Sequence, residues 1–153
     1  MLAANPVECR SGGGTNSHQI VLEFPNGVTF SGANVMISAG VGTVSSSTGS
    51  GTTTVTSNLT DVANAQKITV KILGLTETAN PANTGDLGVT MGVLIGDTNG
   101  SRSVTSADIG HTKAAAAAGV VNTGTFRTDV NVNGTVNSSD IGQVKAASGT
   151  SIP

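Results

Sequence analysis

Residues 97–108, Asp-Thr-Asn-Gly-Ser-Arg-Ser-Val-Thr-Ser-Ala-Asp, are followed by a second copy at residues 129–140, Asp-Val-Asn-Val-Asn-Gly-Thr-Val-Asn-Ser-Ser-Asp. The two copies align without a gap over residues 97–115 and 129–147, where ten of nineteen positions are identical. A match this dense indicates an internal duplication, in which one supersecondary unit is used twice. This repeat decides how the last third of the chain folds.

The segment after each repeated stretch has the composition of a helix. Residues 106–118 are rich in alanine, the strongest helix former, and end at Gly119. Residues 138–147 follow the second copy in the same way and end near Gly149. Glycine just past the last turn is a common helix stop, because it adopts a left-handed backbone without strain. We therefore expect two units, each made of a loop and a helix.

Side chains that carry oxygen recur at alternate positions of both loops. In an EF-hand loop, oxygens from positions 1, 3, 5, 7, 9 and 12 converge on one hard cation, and position 7 contributes its backbone carbonyl. These positions hold Asp97, Asn99, Ser101, Ser103, Thr105 and Asp108 in loop 1 (residues 97–108), and Asp129, Asn131, Asn133, Thr135, Asn137 and Asp140 in loop 2 (residues 129–140). The pattern predicts that each loop binds one Ca²⁺, giving two ions in all.

Two further positions distinguish the loops. Position 8 is apolar in both, Val104 in loop 1 and Val136 in loop 2, and would hold the loop against the core. Position 6, where the loop turns sharply, is Gly134 in loop 2 but Arg102 in loop 1. Loop 1 is therefore expected to be more strained. Each loop brings only two carboxylates, which favours modest affinity for Ca²⁺, and Mg²⁺ would fit such a shell of many oxygens poorly.

A reading without metal remains open for these loops. The last aspartate of each loop, Asp108 or Asp140, lies three residues after Thr105 or Asn137, which is the relation between the N-cap and N3 positions of a helix. Turns rich in such residues can cap two helices without binding an ion. The same six-position spacing, present twice and in register, favours the metal.

Residues 97–149 resemble a type I dockerin, the duplicated calcium module that docks onto cohesin domains in bacterial extracellular assemblies. The resemblance rests on Asp97-Thr98-Asn99 through Ser106-Ala107-Asp108-Ile109 and on its repetition as Asp129-Val130-Asn131 through Ser138-Ser139-Asp140-Ile141. It implies a partner-binding surface at Ser106, Ala107 and Lys113, and at Ser138, Ser139 and Lys145 of the second repeat. Ser101 and Arg102 depart from the family pattern.

The chain before the repeats has the pattern of short β-strands. Ile20, Leu22 and Phe24 alternate with polar residues, and turn sequences such as Pro25-Asn26-Gly27 separate the apolar runs. Six or seven such strands predict an antiparallel Ig-like β-sandwich over residues 1–95. The expected fold is therefore mainly β, with this sandwich followed by a small α-helical dockerin-like module over residues 96–153. The first part also resembles bacterial Ig-like or cohesin-like sandwiches.

Composition argues against several classes of function. The net charge of −2 gives no basic field for nucleic acid, and aromatic residues make up 2% of the chain, too few to favour carbohydrate binding. No apolar run approaches the roughly 18 to 20 residues of a membrane span. His18 and His111 have no partner at ligand spacing, so we expect no enzyme activity. Cys9 is the single cysteine, which excludes an internal disulfide.

These observations predict an extracellular calcium-binding module for protein–protein interaction. It would tether a larger surface protein through a cohesin-like partner, or join copies of itself by self-assembly. The alternative is a structural subunit of a cell-surface polymer or filament, in which calcium only stabilises the fold. We expect the protein to be secreted or on the cell surface, with any signal peptide removed or outside this sequence, because residues 1–6 lack the features of one.

Overall fold

The computed structural model of the protein describes residues 6–153, which form strands, two helices and three single turns of 3-10 helix. Strands β1 to β7 are Val7–Glu8, His18–Thr29, Val35–Ala39, Thr43–Thr48, Thr52–Thr60, Gln66–Glu77 and Thr84–Val93. Helices α1 and α2 are Ser106–Ala116 and Ser138–Ala147. The 3-10 turns are Gly13–Thr15, Gly32–Asn34 and Phe126–Thr128.

The seven strands belong to one hydrogen-bonded sheet, with the order β1-β7-β6-β2-β5-β4 and with β3 paired to β6. Strands β1 and β7 are parallel, whereas β2 with β5, β2 with β6, β3 with β6, and β4 with β5 are antiparallel. The expected Ig-like β-sandwich followed by a separate helical module is therefore wrong. Alternating apolar residues predict strands but not their partners, because the same pattern suits one sheet or two.

Strand β2 shows why the sheet is continuous. Most of its length pairs with β5, whereas its last residues, Val28 and Thr29, also reach β6. The sequence Pro25-Asn26-Gly27, expected to be a turn between two strands, instead lies inside β2 at a break in register between Glu23 and Val28. Proline is tolerated at such a break because the residue there is not needed as a donor to the ladder.

By contacts within the chain, the structure divides into two compact units. The sheet unit contains residues 15–62 and 68–90. Strand β6 supplies its clearest pattern: Ile68, Val70 and Ile72 are buried at a period of two, as the sequence predicts for a strand with one face on a core. Other strands of this unit add the buried side chains of Ile20, Val28, Val35, Val55 and Leu59.

The loop unit contains the described residues up to Gly14, residues 63–67 and residues 91–153. Within it, Val7 of β1 lies opposite Gly92 in the last part of β7. The backbone N–H of Ile95 donates to Asn64 Oδ1 over 2.7 Å, so the short segment 63–67 is also tied in. Because these pieces form one unit with both loops, the loops and helices are not a separate module. The expected domain boundary between residues 95 and 96 stays a prediction.

The loop unit has its own hydrophobic core. Its buried cluster is Leu94, Val104, Val130, Val144 and Ile152, with Val7, Ile95, Ile109 and Ala147 packed against it. Ile152 reaches this cluster because the chain after α2 pairs with the end of loop 1. The N–H of Val104 donates to the carbonyl of Thr150 over 2.9 Å, and the N–H of Ile152 donates to the carbonyl of Arg102 over 3.1 Å.

Both helices begin where the sequence predicts. Thr105 caps α1 and Asn137 caps α2, each in a reciprocal capping box with the aspartate at N3. Helix α2 has the expected bounds, but α1 ends at Ala116 rather than residue 118, and the chain then turns through Gly119 at φ +66°. Neither helix has the length and the apolar character that crossing a membrane would require.

Candidate metal centre

The first aspartate of loop 1 is buried and surrounded by backbone donors. Asp97 has no exposed surface, and its Oδ1 accepts a hydrogen bond from the N–H of Ser101 over 2.9 Å. Its Oδ2 accepts from the N–H of Arg102, also over 2.9 Å. The side-chain oxygen of Asn99 accepts from the same N–H of Ser101 over 2.9 Å. Loop 1 is therefore curled around the carboxylate at its first position.

The last aspartate of loop 1 closes the ring from the helix side. Asp108 is fully buried at the N3 position of α1, and its Oδ1 accepts from the N–H of Asn99 over 3.2 Å. Its Oδ2 accepts from the N–H of Thr105 over 2.8 Å. One carboxylate thus bridges the beginning of the loop and the beginning of the helix, which brings positions 3, 9 and 12 of loop 1 together.

Loop 2 repeats these hydrogen bonds at the corresponding positions. Asp129 Oδ1 accepts from the N–H of Asn133 over 3.1 Å, and Oδ2 accepts from the N–H of Gly134 over 3.0 Å. Asp140 Oδ1 accepts from the N–H of Asn131 over 3.2 Å, and Oδ2 accepts from the N–H of Asn137 over 3.0 Å. The duplication in sequence is therefore also a duplication in geometry.

The backbone of both loops turns in the same way. Position 6 has a positive φ in each loop, +69° at Arg102 and +85° at Gly134. Position 4 does as well, +78° at Gly100 and +58° at Val132. Glycine adopts this conformation freely, whereas a residue with a Cβ is strained there. Each loop therefore has one strained residue, at position 6 in loop 1 and at position 4 in loop 2, and only the first was expected from the sequence.

The remaining candidate ligands line the more exposed side of each ring. In loop 1, Ser101 Oγ lies 3.5 Å from Asp97 Oδ1 and donates to the carbonyl of Ser103 over 3.0 Å. In loop 2, the hydroxyl and the N–H of Thr135 both donate to Asn133 Oδ1, over 2.8 and 2.9 Å. Asn99, Ser101, Thr105, Asn133 and Thr135 are exposed, and Ser103, Asn131 and Asn137 are half-buried. Hydrogen bonds thus join the six predicted residues within each loop, and we call each set a ring; their binding of an ion stays a prediction.

The donor set of each ring suits a hard divalent cation. Asp97, Asp108 and Asp140 have no exposed surface and Asp129 is 5% exposed. Two ion pairs of the described residues, Arg10 with Glu8 and Lys71 with Asp86, lie elsewhere. Buried carboxylates are costly unless they are paired, hydrogen-bonded or bound to a metal. Two carboxylates with several neutral oxygens match the charge and the ligand type of Ca²⁺.

Neither ring is a cluster of acidic side chains. Among residues 6–153, no group of three or more histidine, cysteine, aspartate or glutamate side chains is placed to hold a metal ion. Each ring has two carboxylates, and its other candidate ligands are asparagine, serine and threonine oxygens. A site of this composition depends on neutral oxygens for most of its ligands.

The six positions implied as a partner surface are all exposed. They are Ser106, Ala107 and Lys113 on α1, and Ser138, Ser139 and Lys145 on α2. Ser139 also accepts a hydrogen bond from the side-chain amide of Asn131 over 3.2 Å, which links it to loop 2. The two sets occupy the same positions on the two helices, so the surfaces are chemically alike.

Arg127 is a residue that sequence reasoning did not select. Its guanidinium donates to three backbone carbonyls, those of Asp97, Thr98 and Val7. The partners are 29 to 120 residues away along the chain and offer only main-chain oxygens, so neither a motif nor a spacing points to them. Its position two residues before Asp129 would have been the single hint.

Cys9 lies beside Arg127 in the loop unit. Its side chain is fully buried, and Sγ donates to the carbonyl of Arg127 over 3.3 Å. Burial raises the pKa of the Cys9 thiol to about 12. Nearby, the hydrogen bond from Arg10 to Glu8 raises the pKa of the Arg10 guanidinium, which also lies 5.6 Å from the ring centre of Phe126. Cys9 is therefore a neutral, inaccessible thiol.

Comparison with known proteins gives a family match within the loop unit. Residues 95–147, about a third of the chain, match the family model of the dockerin type I domain. The match covers both loops and both helices, and it supports a dockerin module in this part of the chain. No curated protein and no solved structure matches the chain. The expected likeness of the preceding strands to an Ig-like or cohesin-like domain has no support from these comparisons.

Proposed function

We propose that this protein is a calcium-dependent module for protein–protein assembly, with one Ca²⁺ in each loop. Dockerin domains bind calcium and dock onto cohesin partners, and they are non-catalytic modules. The protein would act outside the cell or at its surface, where it would tether a larger protein or join subunits. We propose no catalytic role for the chain.

One observation carries most of this proposal. Four buried aspartates accept hydrogen bonds from equivalent donors in two loops that differ at seven of their twelve positions. A role in helix capping alone would account for Asp108 and Asp140, but it gives no reason to bury Asp97 and Asp129 at the other end of each loop. A cation held between the two ends accounts for all four.

Side chains and backbone of each loop would have different roles when calcium is bound. The ion supplies the positive charge that the two carboxylates of a loop lack. The aspartates would bind it directly, with Asn99, Ser101 and Thr105 completing the shell in loop 1 and Asn131, Asn133 and Asn137 in loop 2. The backbone N–H groups keep both carboxylates facing inward, so the ring is partly formed before the ion arrives.

Partner docking would use the exposed residues of α1 and α2. Because Lys113 and Lys145 hold equivalent places, either helix could present the same small, hydroxyl-bearing and basic surface. Calcium would control docking indirectly, by fixing the loop that begins each helix.

The alternative is a structural subunit of a surface polymer in which calcium only stabilises the fold. The edge strand β4, Thr43–Thr48, is built from threonine, serine and a single valine, and it lacks the lysines that often prevent pairing between edges. Self-association through this strand would favour the alternative.

The first test is calorimetric titration of chelator-stripped protein with CaCl₂. We expect two sites, one lost in Asp108→Ala and the other in Asp140→Ala. Asp61→Asn is the matched control, since Asp61 is exposed and outside both loops, and it should retain both sites. Failure of the unaltered chain to bind calcium would refute the proposal.

The second test separates docking from self-assembly. Size-exclusion chromatography should give a monomer in calcium and in chelator, and a complex only when a type I cohesin domain and calcium are both present. Lys113→Ala combined with Lys145→Ala should weaken the complex without changing the calcium titration. An oligomer that forms without any partner would support the structural alternative instead.

A further inference from the structure

The side chain of Arg127 forms hydrogen bonds with the backbone at the beginning of loop 1. Its Nη2 donates to the carbonyl of Asp97 over 2.8 Å and its Nε donates to the carbonyl of Thr98 over 3.0 Å. Its Nη1 donates to the carbonyl of Val7 over 2.9 Å. Among the described residues it makes no ion pair. A planar guanidinium with its donors on three neutral carbonyls orients backbone rather than neutralising charge.

The three carbonyls come from two separate parts of the loop unit. Asp97 and Thr98 are the first two residues of loop 1, and Val7 belongs to β1. Arg127 itself lies in the 3-10 turn Phe126–Thr128, directly before loop 2. One side chain therefore connects the start of loop 1, the N-terminal strand and the backbone that leads into loop 2.

Among residues 6–153, no side chain makes the equivalent connection at the start of loop 2, where the carbonyl of Val130 instead accepts from the backbone N–H of Ser11 over 2.8 Å. The residue that corresponds to Arg127 in the first repeat, two positions before Asp97, is Ile95, which packs against the hydrophobic core and has no donor groups in its side chain. The bonds of Arg127 are thus a departure from the two-fold repeat. They contact loop 1, whose sixth position is the strained Arg102.

We propose that Arg127 is a positioning residue for calcium binding in loop 1. It fixes the first two peptide groups of that loop, so the Asp97 carboxylate and the following Asn99 face the ring before the ion binds. This inference rests on the proposed function, because it concerns the affinity of the same site. Groups that hold metal ligands in place typically change metal affinity by about 10- to 100-fold when removed.

The effect of orientation differs from an effect of charge. Arg127→Lys keeps the positive charge but cannot bond three carbonyls in one plane, whereas Arg127→Gln removes both. If Arg127 acts by charge, its removal should strengthen the binding of a cation, and Arg127→Lys should change nothing. If it acts by position, both variants should weaken binding at loop 1.

The experiment measures each loop separately in the full chain. Asp140→Ala leaves loop 1 to be titrated with CaCl₂, and Asp108→Ala leaves loop 2. Adding Arg127→Lys should lower the affinity of loop 1 about tenfold and that of loop 2 less than about twofold. Arg10→Lys is the matched control, because Arg10 is an arginine of the same unit that bonds Glu8 and no loop carbonyl, and it should change neither site.

The outcomes separate this inference from the proposed function. If neither loop binds calcium while Arg127 is intact, the proposed function fails. If both loops bind but Arg127→Lys weakens them equally, or leaves loop 1 unchanged, the positioning role is refuted. Circular dichroism in chelator checks folding of each variant. Loss of folding in both Arg127→Lys and Arg127→Gln would also refute the inference, because it would indicate a general structural role.

Discussion

Replacing Val132 in loop 2 tests whether the loop backbone is strained independently of calcium. Val132 has a φ of +58°, although it is β-branched and such residues are rarely left-handed. Loop 1 has Gly100 at the same position, with a φ of +78°. Val132 is 52% exposed, so its side chain contributes little burial. We predict that Val132→Asn stabilises the loop unit both in calcium and in chelator.

The size of the effect follows from two opposing contributions. The left-handed conformation costs a residue with a Cβ roughly 1–2 kcal/mol, and asparagine tolerates it much better. Loss of the largely exposed valine side chain costs less than about 1 kcal/mol of hydrophobic burial. The net gain for Val132→Asn is therefore about 0.5–1 kcal/mol. Val132→Gly should gain less, because glycine adds about 0.5–1 kcal/mol of backbone entropy to the unfolded chain.

The reverse change in loop 1 supplies the complementary measurement. Gly100→Val should cost about 1 kcal/mol, since it adds the strain that loop 2 already has. A Cβ at residue 100 would meet only Arg127 Nη2, 3.9 Å away, so the loss would come from the backbone conformation and not from a clash.

Thermal unfolding followed by circular dichroism is the suitable assay, because the chain has no tryptophan or tyrosine for fluorescence. For a chain of this size, about 1 kcal/mol should shift Tm by roughly 2–4 °C. Val120→Asn is the matched control, because Val120 is 59% exposed and its φ is not positive. Equal effects of Val132→Asn and Val120→Asn, together with a harmless Gly100→Val, would refute the reasoning.

Three further changes test other parts of the loop unit. Arg102→Gly should stabilise the loop unit by less than about 1 kcal/mol both in calcium and in chelator, because it removes the strain of a φ of +69° but adds backbone entropy to the unfolded chain; a lower Tm in thermal unfolding would contradict this. Ile152→Ala should cost about 2–5 kcal/mol in urea unfolding, because Ile152 is 6% exposed within the core cluster, and a loss below about 1 kcal/mol would show that the C-terminal pairing is dispensable. Cys9 should make the free energy of unfolding depend on pH. Its contribution should be constant below pH 9.0 and should fall between pH 9.0 and about 12, because in that range the thiol ionises in the unfolded chain but stays protonated in the folded protein. Urea unfolding of Cys9→Ala should lack that fall, and an identical profile would count against the buried thiol as its source.

What the sequence predicted well is local in the chain. The bounds of α2, both capping boxes and the strain at Arg102 depend on residues within one loop or one helical turn. The strain at Val132 was equally local, but the pattern of ligands drew attention to position 6 and not to position 4. The helix after loop 1 was predicted two residues too long, because alanine favours a helix beyond the point where the chain turns towards Gly119.

What the sequence could not predict depends on distant partners. The single sheet requires β2 to bond two different strands, and alternation of apolar residues says nothing about which strands those are. The contacts of Arg127 are with main-chain carbonyls, which every residue has, so the sequence has no signal for them. The pairing of the C-terminal residues with loop 1 could not be predicted from the sequence either, because it also consists of backbone hydrogen bonds.

The long reach of the bonds around Arg127 has a consequence for biosynthesis. Val7 and Arg127 are 120 residues apart, so the strand β1 leaves the ribosome well before the residue that holds it in place has been made. At about 5–20 residues per second, the wait is roughly 6–24 seconds. During that interval Cys9 is still an accessible thiol, since its burial depends on the same late segment. A thiol reagent supplied during translation should therefore label nascent chains that end before residue 127, and should no longer label the completed and folded protein.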